Sequence, residues 1–304
     1  MAGPRETILG AVPAFVPKET HLAKGAAFAV VAAFAFSFTG VCIKLVSASV
    51  SNEVIVFARN LVSLMVLAPW LLRSGTASVR TTRLGGHLWR AAFGVAAMYC
   101  FFYAIARLPL ASAMLLSYST PLYVPFIAWI WIAERPPFIV FPAALVGLVG
   151  ISFIVRPGAS FDFTAGLIGA LAGVFAACAM VGIRRISDTE PASRIVFYFA
   201  LLATVIATVP LAWAWKTPDF RESALLIATG VTATCGQLCL TRAYSLAPAA
   251  RIGPFTYTSV VFSALLAWAL WGERLDRWTA LGIALVIATC VMVGWRRKEP
   301  QLEE

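Results

Sequence analysis

The chain has 304 residues, of which 61% are hydrophobic and only 12% are charged, and its mean hydropathy is +0.85. This composition lies well outside that of soluble globular proteins and predicts a protein embedded in a lipid bilayer. A net charge of +10 can accompany nucleic-acid binding, but the basic residues here are spread over loops and form no continuous patch, so nucleic acid is not predicted as a partner.

Ten apolar runs follow one another along the chain. A helix needs roughly 20 apolar residues to cross the hydrocarbon core of a bilayer. These runs are apolar on every face, which excludes the alternating pattern of membrane β-strands. We number them spans 1 to 10, at approximately 22–45, 53–73, 88–107, 111–133, 137–155, 164–184, 192–214, 222–244, 248–272 and 278–295. The sequence therefore predicts an all-α integral membrane protein with ten transmembrane helices.

Residues 1–21 and 296–304 are predicted to be short tails at the two ends of the chain. With both tails on one side, the loops of that side hold most of the Lys and Arg residues. Because positive residues are retained in the cytoplasm, we expect both termini there. We further expect a multi-pass protein of a bacterial cell inner (plasma) membrane, in contact with the lipid bilayer, and leave open whether it forms a homodimer.

Arg59 is the most deeply placed charge, about six residues or roughly 9 Å into span 2. A charge at the centre of a membrane helix costs about 2.5–3.5 kcal/mol on insertion scales, so a functional role is the default hypothesis. Three interpretations stay open. Arg59 lines a cavity and favours a carboxylate or phosphate on a solute, it extends outward to the interface, or it pairs with Glu53.

Spans 3 and 8 each carry one face of candidate substrate-binding side chains at helical spacing. These are Tyr99, Phe102, Tyr103 and Ala106 in span 3, and Gln237, Thr241 and Tyr244 in span 8. Phenols, an amide and a hydroxyl around a hydrated cavity suit an organic solute with ring and polar groups. The alternative is hydrogen bonding between helices without a ligand.

Span 4 contains the most polar stretch of any span, SYSTPLYVP at 117–125, and its counterpart in span 9 is GPFTYTS at 253–259. Prolines within a helix free backbone carbonyls that face protein or a cavity. One hypothesis is a paired substrate site containing Ser117, Tyr118 and Tyr257. In the other, the hydroxyls bond back to their own helix and the tyrosines mediate packing.

The pair Glu-Arg ends both span 4 and span 9. A shift of 139 residues, the separation of Glu134 from Glu273, aligns 104–135 with 243–274, and the matches include proline, tyrosine and tryptophan. Each repeat, 22–155 and 164–295, contains an odd number of spans, so the second enters the membrane from the opposite side. We predict structural or gating roles, not substrate contact, for Glu134, Arg135, Glu273, Arg274, Pro121, Pro125 and Pro254.

The segments LPLASAMLLSYSTPLYVPFIAWIWIAERP and LAPAARIGPFTYTSVVFSALLAWALWGERL resemble the two signature segments of EamA-type members of the drug/metabolite transporter superfamily. The resemblance covers 22–295. It implies ten helices in two inverted five-helix repeats around a central cavity bordered by spans 1, 3, 4, 6, 8 and 9. It implies no single substrate, since members move amino acids, amines, vitamins, nucleotide-linked compounds and drugs. The repeats differ where Pro121 and Pro125 align with Val260 and Ala264.

The leading interpretation is a secondary transporter, an exporter or exchanger of a small organic metabolite such as an amino acid, amine or vitamin, working by alternating access. A channel or a membrane-embedded sensor is the alternative, since inverted repeats also build pores. An enzyme is not favoured, because the spans contain neither a paired acid nor an HExxH motif. No cofactor or metal is predicted. Cys235 and Cys239 lie one helical turn apart, but no histidine or carboxylate joins them.

Overall fold

The computed structural model describes residues 21–47, 49–107, 116, 119–155, 163–272 and 276–295. Within these ranges the chain is helical and contains no β-strand. The helices are α1 (Leu22–Val46), α2 (Asn52–Ser74), α3 (Leu84–Arg107), α4 (Thr120–Ile132), α5 (Val140–Val155), α6 (Phe163–Ile186), α7 (Ala192–Ala214), α8 (Phe220–Leu246), α9 (Ala249–Ile252), α10 (Thr258–Trp271) and α11 (Arg277–Trp295). Short 3₁₀ segments occupy Thr76–Val79 and Gly253–Tyr257. The predicted all-α class is confirmed.

Six of the described helical stretches are long and apolar enough to cross a membrane: Leu22–Val46, Asn52–Ser74, Phe163–Ile186, Ala192–Ala214, Phe220–Leu246 and Ala249–Leu270. Three further apolar stretches are shorter, at Thr120–Ile132, Val140–Ile154 and Arg277–Val293. The helix α3 has 24 residues and carries His87 and Arg90 in its first two turns. Several membrane-spanning helices are therefore established, while the number ten stays a prediction.

The last residues of α4 and α10 show that the repeats are equivalent in backbone as well as in sequence. Ala133 follows α4 with φ 54°, and Gly272 follows α10 with φ 66°, so both helices end in a left-handed residue. These two positions are separated by the same shift that relates Glu134 to Glu273. The repeated Glu-Arg pair thus follows the same kind of helix end in each copy.

Contacts between helix ends give the direction of each helix. The amide of His21 donates to the carbonyl of Leu246, so the start of α1 meets the end of α8. Trp89 near the start of α3 donates to the carbonyl of Cys178 in the second half of α6. We call the end of the bundle at which α1 begins the Glu134 face, and the opposite end the Ser51 face. Helices α1, α3, α5, α7 and α10 run from the Glu134 face, and the other long helices run toward it.

The packing of the helices follows a two-fold relation between the repeats. The two most extensive contacts are α1 with α8 and α3 with α6. Each of them joins the first span of one repeat to the third span of the other repeat. The contacts of α1 with α10 and of α6 with α4 are also equivalent, because each joins the first span of one repeat to the fourth span of the other. Since α1 and α6 run in opposite directions, this arrangement matches the inversion predicted from the odd number of spans.

The main apolar core lies between the repeats on the side of the Glu134 face. It joins residues of α1, α4, α6, α8 and α9, among them Ala29, Val124, Ala177 and Tyr244. Many of its members are alanines, which let the helix backbones approach closely. Nearer the middle of the bundle this packing gives way to a cavity.

Candidate functional site

A cavity of about 370 Å³ lies between the two repeats. This volume is within the range of small-molecule sites. Its walls come from α1, α2, α3, α4, α6, α7, α8, α10 and the 3₁₀ segment before α10. The polar and charged side chains that line it are Thr39, Arg59, Arg90, Thr120, Gln237, Tyr244, Thr256 and Ser259. The remaining wall is apolar and rich in alanine, so the charged groups face a largely apolar space.

The described lining extends over most of the depth of the bundle, from the Ser51 face to Tyr244 in the last turn of α8. Its lining includes Ile43 in the last turn of α1 and Ile55 in the first turn of α2, both at the Ser51 face. Toward the Glu134 face the lining stops at Tyr244, which is only 1% exposed and belongs to the main core. The cavity is therefore closed by packed side chains on the Glu134 side.

Arg90 is the most constrained charged group of the cavity. Its side chain is 3% exposed, its Nη2 donates to Oε1 of Gln237 at 3.1 Å, and its guanidinium lies 4.0 Å from the centre of the Phe199 ring. Its Nε is buried and has no hydrogen-bond acceptor among the described residues. The described residues therefore satisfy this guanidinium only in part.

Gly94, one turn after Arg90 on α3, makes room for this guanidinium. A Cβ added at Gly94 would collide with Nη1 of Arg90 and would lie 2.8 Å from the Phe199 ring. The Arg90 side chain consequently lies along its own helix, between Gly94 and the ring of Phe199. The absence of a side chain at position 94 thus fixes where the positive charge stands.

Arg59 of α2 lines the same cavity, nearer the Ser51 face. Its Nη1 is 3.9 Å from Sδ of Met98, a weak acceptor, and it forms no ion pair within the described ranges, which include Glu53. Its positive charge acts on that of Arg90. Of the three interpretations offered for Arg59, the structure favours the cavity over the Glu53 pair.

Arg90 is not among the predicted site residues, because a span that begins near residue 88 puts it at the edge of the membrane, next to the basic residues of the preceding loop. The helix begins at Leu84 and places Arg90 in its second turn. The spacing of Arg90, Gly94, Ala97 and Phe101 marks the cavity face of α3. The sequence signal for this face is a cation followed one turn later by a glycine in an apolar helix.

Two residues of the aromatic face predicted for α3, Tyr99 and Tyr103, are not part of the cavity lining. Tyr99 is 36% exposed and does not line the cavity, and the ring of Tyr103 lies 4.0 Å under the guanidinium carbon of Arg107. The predicted face of α8 is closer to the cavity. Gln237 lines it and Thr241 is buried on the same face with an unpartnered hydroxyl among the described groups, one turn before the lining residue Tyr244.

The predicted paired site of spans 4 and 9 is only partly visible. Ser117 and Tyr118 lie outside the described residues. Thr120 and Pro121 of α4 do line the cavity, and the hydroxyl of Thr120 is 3.3 Å from the carbonyl of Gly173. Pro125 is buried in α4. The first repeat therefore contributes the start of α4 to the cavity wall.

In span 9 the structure corrects the placement of Tyr257. Its side chain is 0% exposed, and its hydroxyl donates to the carbonyl of Ala144 at 3.1 Å, away from the cavity lining. The ring packs where Gly147 of α5 has no side chain. Thr256 and Ser259 line the cavity, but both hydroxyls donate to carbonyls three residues earlier. For this half, the alternative of packing and back-bonding describes the geometry.

The two residues of the Glu-Arg pair that follows α4 have different surroundings. Oε1 of Glu134 is 2.7 Å from Nε of Arg184 at the end of α6, and its Oε2 accepts the amide of Ala249 at 3.1 Å, at the start of α9. Nη1 of Arg184 also lies 3.4 Å from the carbonyls of Tyr244 and Ser245. Arg135 is exposed. Glu134 and Arg184 thus join four helix ends from both repeats.

Of the predicted gating residues in span 9, the structure describes only Pro254. Glu273 and Arg274 lie outside the described residues. Pro254 is buried in the 3₁₀ segment that connects α9 to α10. Because proline cannot donate a backbone hydrogen bond, this segment interrupts the helix beside the cavity. Span 9 is therefore interrupted beside the cavity, whereas most of the corresponding part of span 4 lies outside the described residues.

A second buried carboxylate lies at the Glu134 face. Glu190, 4% exposed, accepts from Thr81 at 2.6 Å and from Arg194 at 2.8 Å, and its Oε2 is 3.6 Å from Nε2 of His87. His87 also stacks on Tyr198, with ring centres 4.4 Å apart. This cluster ties the segment before α3 to the start of α7 and lies outside the cavity lining.

The groups that line the cavity can hold a solute. Within the described residues no group of three His, Cys, Asp or Glu side chains could hold a metal ion. Cys235 and Cys239 carry free thiols. The cavity instead presents two guanidiniums, an amide and several hydroxyls in an apolar wall.

Comparison with known proteins gives the same picture. The model of the EamA-like transporter family matches residues 23–156 and 164–295. The pseudopaline exporter of Pseudomonas aeruginosa is 34% identical over 280 residues, covering 91% of this chain and 98% of the exporter. The riboflavin transporter of Vibrio cholerae is 24% identical, covering 93% and 97% of the two chains.

A further relative and a solved structure extend these comparisons. An S-adenosylmethionine uptake transporter of Rickettsia bellii is 25% identical over 81% of this chain and 84% of its own. One crystal structure superposes with a TM-score of 0.79 at 18% identity, covering 90% of this chain and 97% of the other, and shows that the fold is shared. The chain is a bacterial-type multi-pass membrane transporter that belongs to the EamA-like transporter family.

Proposed function

We propose that this protein is a secondary transporter of the bacterial inner membrane that exports or exchanges a small organic metabolite by alternating access. The observation that carries the proposal is the cavity of about 370 Å³ between the repeats, which the main apolar core closes on the Glu134 side. A site between inverted repeats that is reachable from one side at a time is the arrangement expected of such carriers.

The proposed orientation puts the Glu134 face in the cytoplasm together with both termini. The basic residues of the loops on this side support that assignment. The conformation is then outward-facing. Glu134 and Arg184 would hold the cytoplasmic gate closed, because they tie the ends of α4 and α6 to the start of α9. Opening that gate requires these contacts to separate.

Relatives support a metabolite as the solute. The names of the three similar transporters concern pseudopaline, S-adenosylmethionine and riboflavin, so related chains both export and take up small metabolites. The relative with 34% identity is an exporter, which favours export for this chain.

An exchange experiment that assumes neither solute nor direction tests the proposal. Proteoliposomes containing the purified protein are loaded with an unlabelled extract of bacterial metabolites and placed in the same extract labelled with ¹³C. Mass spectrometry of the washed vesicles should find labelled metabolites that enter only when the protein is present, with rates that saturate. Electrical conductance that does not saturate would instead indicate a channel, and no protein-dependent exchange at all would refute the carrier.

A further inference from the structure

We infer that Arg59 and Arg90 form an oxyanion-binding site in the cavity wall, and that the transported solute carries at least one carboxylate or phosphate group that binds there. This inference rests on the proposed function for its biological meaning. The two guanidiniums and their surroundings support the binding site itself.

The first step is the incomplete pairing of Arg90. A guanidinium has five N–H donors. At Arg90 the described residues supply one amide oxygen, from Gln237, and one aromatic face, from Phe199. The Nε is buried and has no acceptor within the described part of the chain. A buried charge left in this state is unfavourable unless an anion completes its hydrogen bonds.

The second step is the sum of the charges. Arg59 and Arg90 line one cavity, their positive charges oppose each other, and no described carboxylate forms an ion pair with either. Two like charges in an apolar space repel more strongly than they would in water. An anionic group bound between or beside them lowers the energy of both, which gives a carboxylate or phosphate an advantage over a neutral solute.

The third step is preorganisation. Gly94 leaves the space in which the Arg90 side chain lies, Phe199 covers one face of the guanidinium, and Gln237 holds Nη2. The donors are therefore held in place before the solute arrives. Because a guanidinium presents pairs of parallel N–H groups, an oxyanion with two oxygens matches it better than chloride does.

The two arginines also stand at different depths. Arg59 is seven residues into α2 from the Ser51 face, and Arg90 is six residues into α3 from the Glu134 face. A solute that enters from the Ser51 face meets Arg59 first and Arg90 deeper in the cavity. The alanine-rich wall around them leaves room for a remainder of the solute that is uncharged.

The exchange assay described above tests the inference when it is repeated with variants. The set is Arg90→Gln, Arg90→Lys, Arg59→Gln and, as the control, Arg73→Gln, which removes an exposed guanidinium from the end of the same helix as Arg59. Loss of a charge-assisted hydrogen bond corresponds to a reduction of about ten- to a hundredfold. We expect the metabolites that exchange to be carboxylates or phosphates, and their KM to rise by that factor in Arg90→Gln and less in Arg90→Lys.

Identification of the labelled compounds separates carboxylates from phosphates. Uncharged or cationic compounds as the exchanged class, or an unchanged KM in both Arg90→Gln and Arg59→Gln, would overturn the inference while leaving a carrier in place. Arg73→Gln should exchange the same compounds at the wild-type rate.

A binding measurement keeps the inference testable if no exchange is found. Thermal unfolding of the purified protein in lipid nanodiscs is followed with added succinate, citrate or inorganic phosphate, and with sodium chloride at equal ionic strength. A ligand that binds the native state raises its Tm. We expect a rise with at least one oxyanion beyond that with chloride, lost in Arg90→Gln. No such rise together with no anion exchange refutes the site, whereas a rise without exchange refutes only the transport.

Discussion

Arg184 and Arg90 are both almost completely buried, at 2% and 3% exposure, and both belong to helices that pack between the repeats. The protein surrounds them very differently. Arg184 meets the carboxylate of Glu134 at 2.7 Å and two backbone carbonyls at 3.4 Å. Arg90 has one amide oxygen and an aromatic ring, and its Nε has no acceptor among the described residues.

The difference separates two uses of a buried charge. A guanidinium whose donors are matched by the protein stabilises one arrangement of helices, and breaking the match is costly. A guanidinium left incomplete beside a cavity lowers the stability of the empty protein and gains a partner when an anion enters. A matched guanidinium is suited to a gate, and an incompletely paired guanidinium is suited to a binding site. Four substitutions test whether this division holds.

The largest effect is expected for Glu134→Gln. It leaves Arg184 as a buried charge without its carboxylate, and the free energy of unfolding should fall by about 3–5 kcal/mol. Hydrogen exchange should also become faster at the start of α9, where Glu134 accepts the amide of Ala249. Thermal unfolding and mass-spectrometric hydrogen exchange measure both changes.

Arg135→Gln is the matched control, because Arg135 is the exposed neighbour of Glu134. Surface substitutions of this kind usually change stability by less than about 0.5 kcal/mol. If Glu134→Gln proved as stable as Arg135→Gln, Glu134 and Arg184 would not hold the gate closed.

Gly94→Ala should act mainly on the placement of Arg90. The added Cβ collides with Nη1 of Arg90 and crowds the Phe199 ring, and overpacking of this kind costs about 1–3 kcal/mol. The displaced guanidinium should weaken binding of the transported anion by about tenfold, which corresponds to one charge-assisted hydrogen bond. The KM for exchange and the Tm without solute report these two effects separately.

Gly85→Ala, in the first turn of the same helix, supplies the control. A Cβ at Gly85 has no neighbour within 4 Å. Alanine favours a helix over glycine by about 1 kcal/mol in an interior position, so this variant should keep or raise the wild-type stability. Equal KM values for the two alanine variants would show that Gly94 does not position Arg90.

Arg90→Gln and Arg184→Gln should change stability in opposite directions when no solute is present. Removing the incompletely paired charge of Arg90 should raise the free energy of unfolding by about 1–2 kcal/mol, because the desolvation of that charge is no longer required. Removing Arg184 leaves Glu134 buried without its partner and should lower stability. Thermal unfolding of both variants in the same lipid measures the two stability changes. A loss of stability in both variants would contradict the proposed difference between Arg90 and Arg184.

The sequence was sufficient to predict the features that repeat or extend over many residues. Continuous apolar runs predicted the helical class, and the doubled Glu-Arg pair aligned the repeats. That alignment also places Ala133 opposite Gly272, the two left-handed residues that end α4 and α10. Such features follow from composition and periodicity, which each segment carries within itself.

The cavity side chains were harder to predict because they depend on contacts between segments. A boundary four residues too late put Arg90 at the edge of span 3, although it lies in the second turn of α3. The aromatic face of Tyr99 and Tyr103 was chosen over the face of Gly94 and Phe101, although small residues leave more room for a solute. No local pattern links Glu134 to Arg184, since they come from different repeats and meet only after folding.

Tyr257→Phe has the smallest expected effect, and it tests the residue whose placement differs most from the sequence-based hypothesis. The substitution removes only the hydroxyl that donates to the carbonyl of Ala144 at 3.1 Å. The free energy of unfolding should fall by about 1 kcal/mol, as for one buried hydrogen bond, while the KM for the solute stays at its wild-type value. Tyr244→Phe is the partner experiment, because Tyr244 lines the cavity. A raised KM for Tyr257→Phe, with unchanged stability, would return Tyr257 to the binding site and place the packing role with another residue.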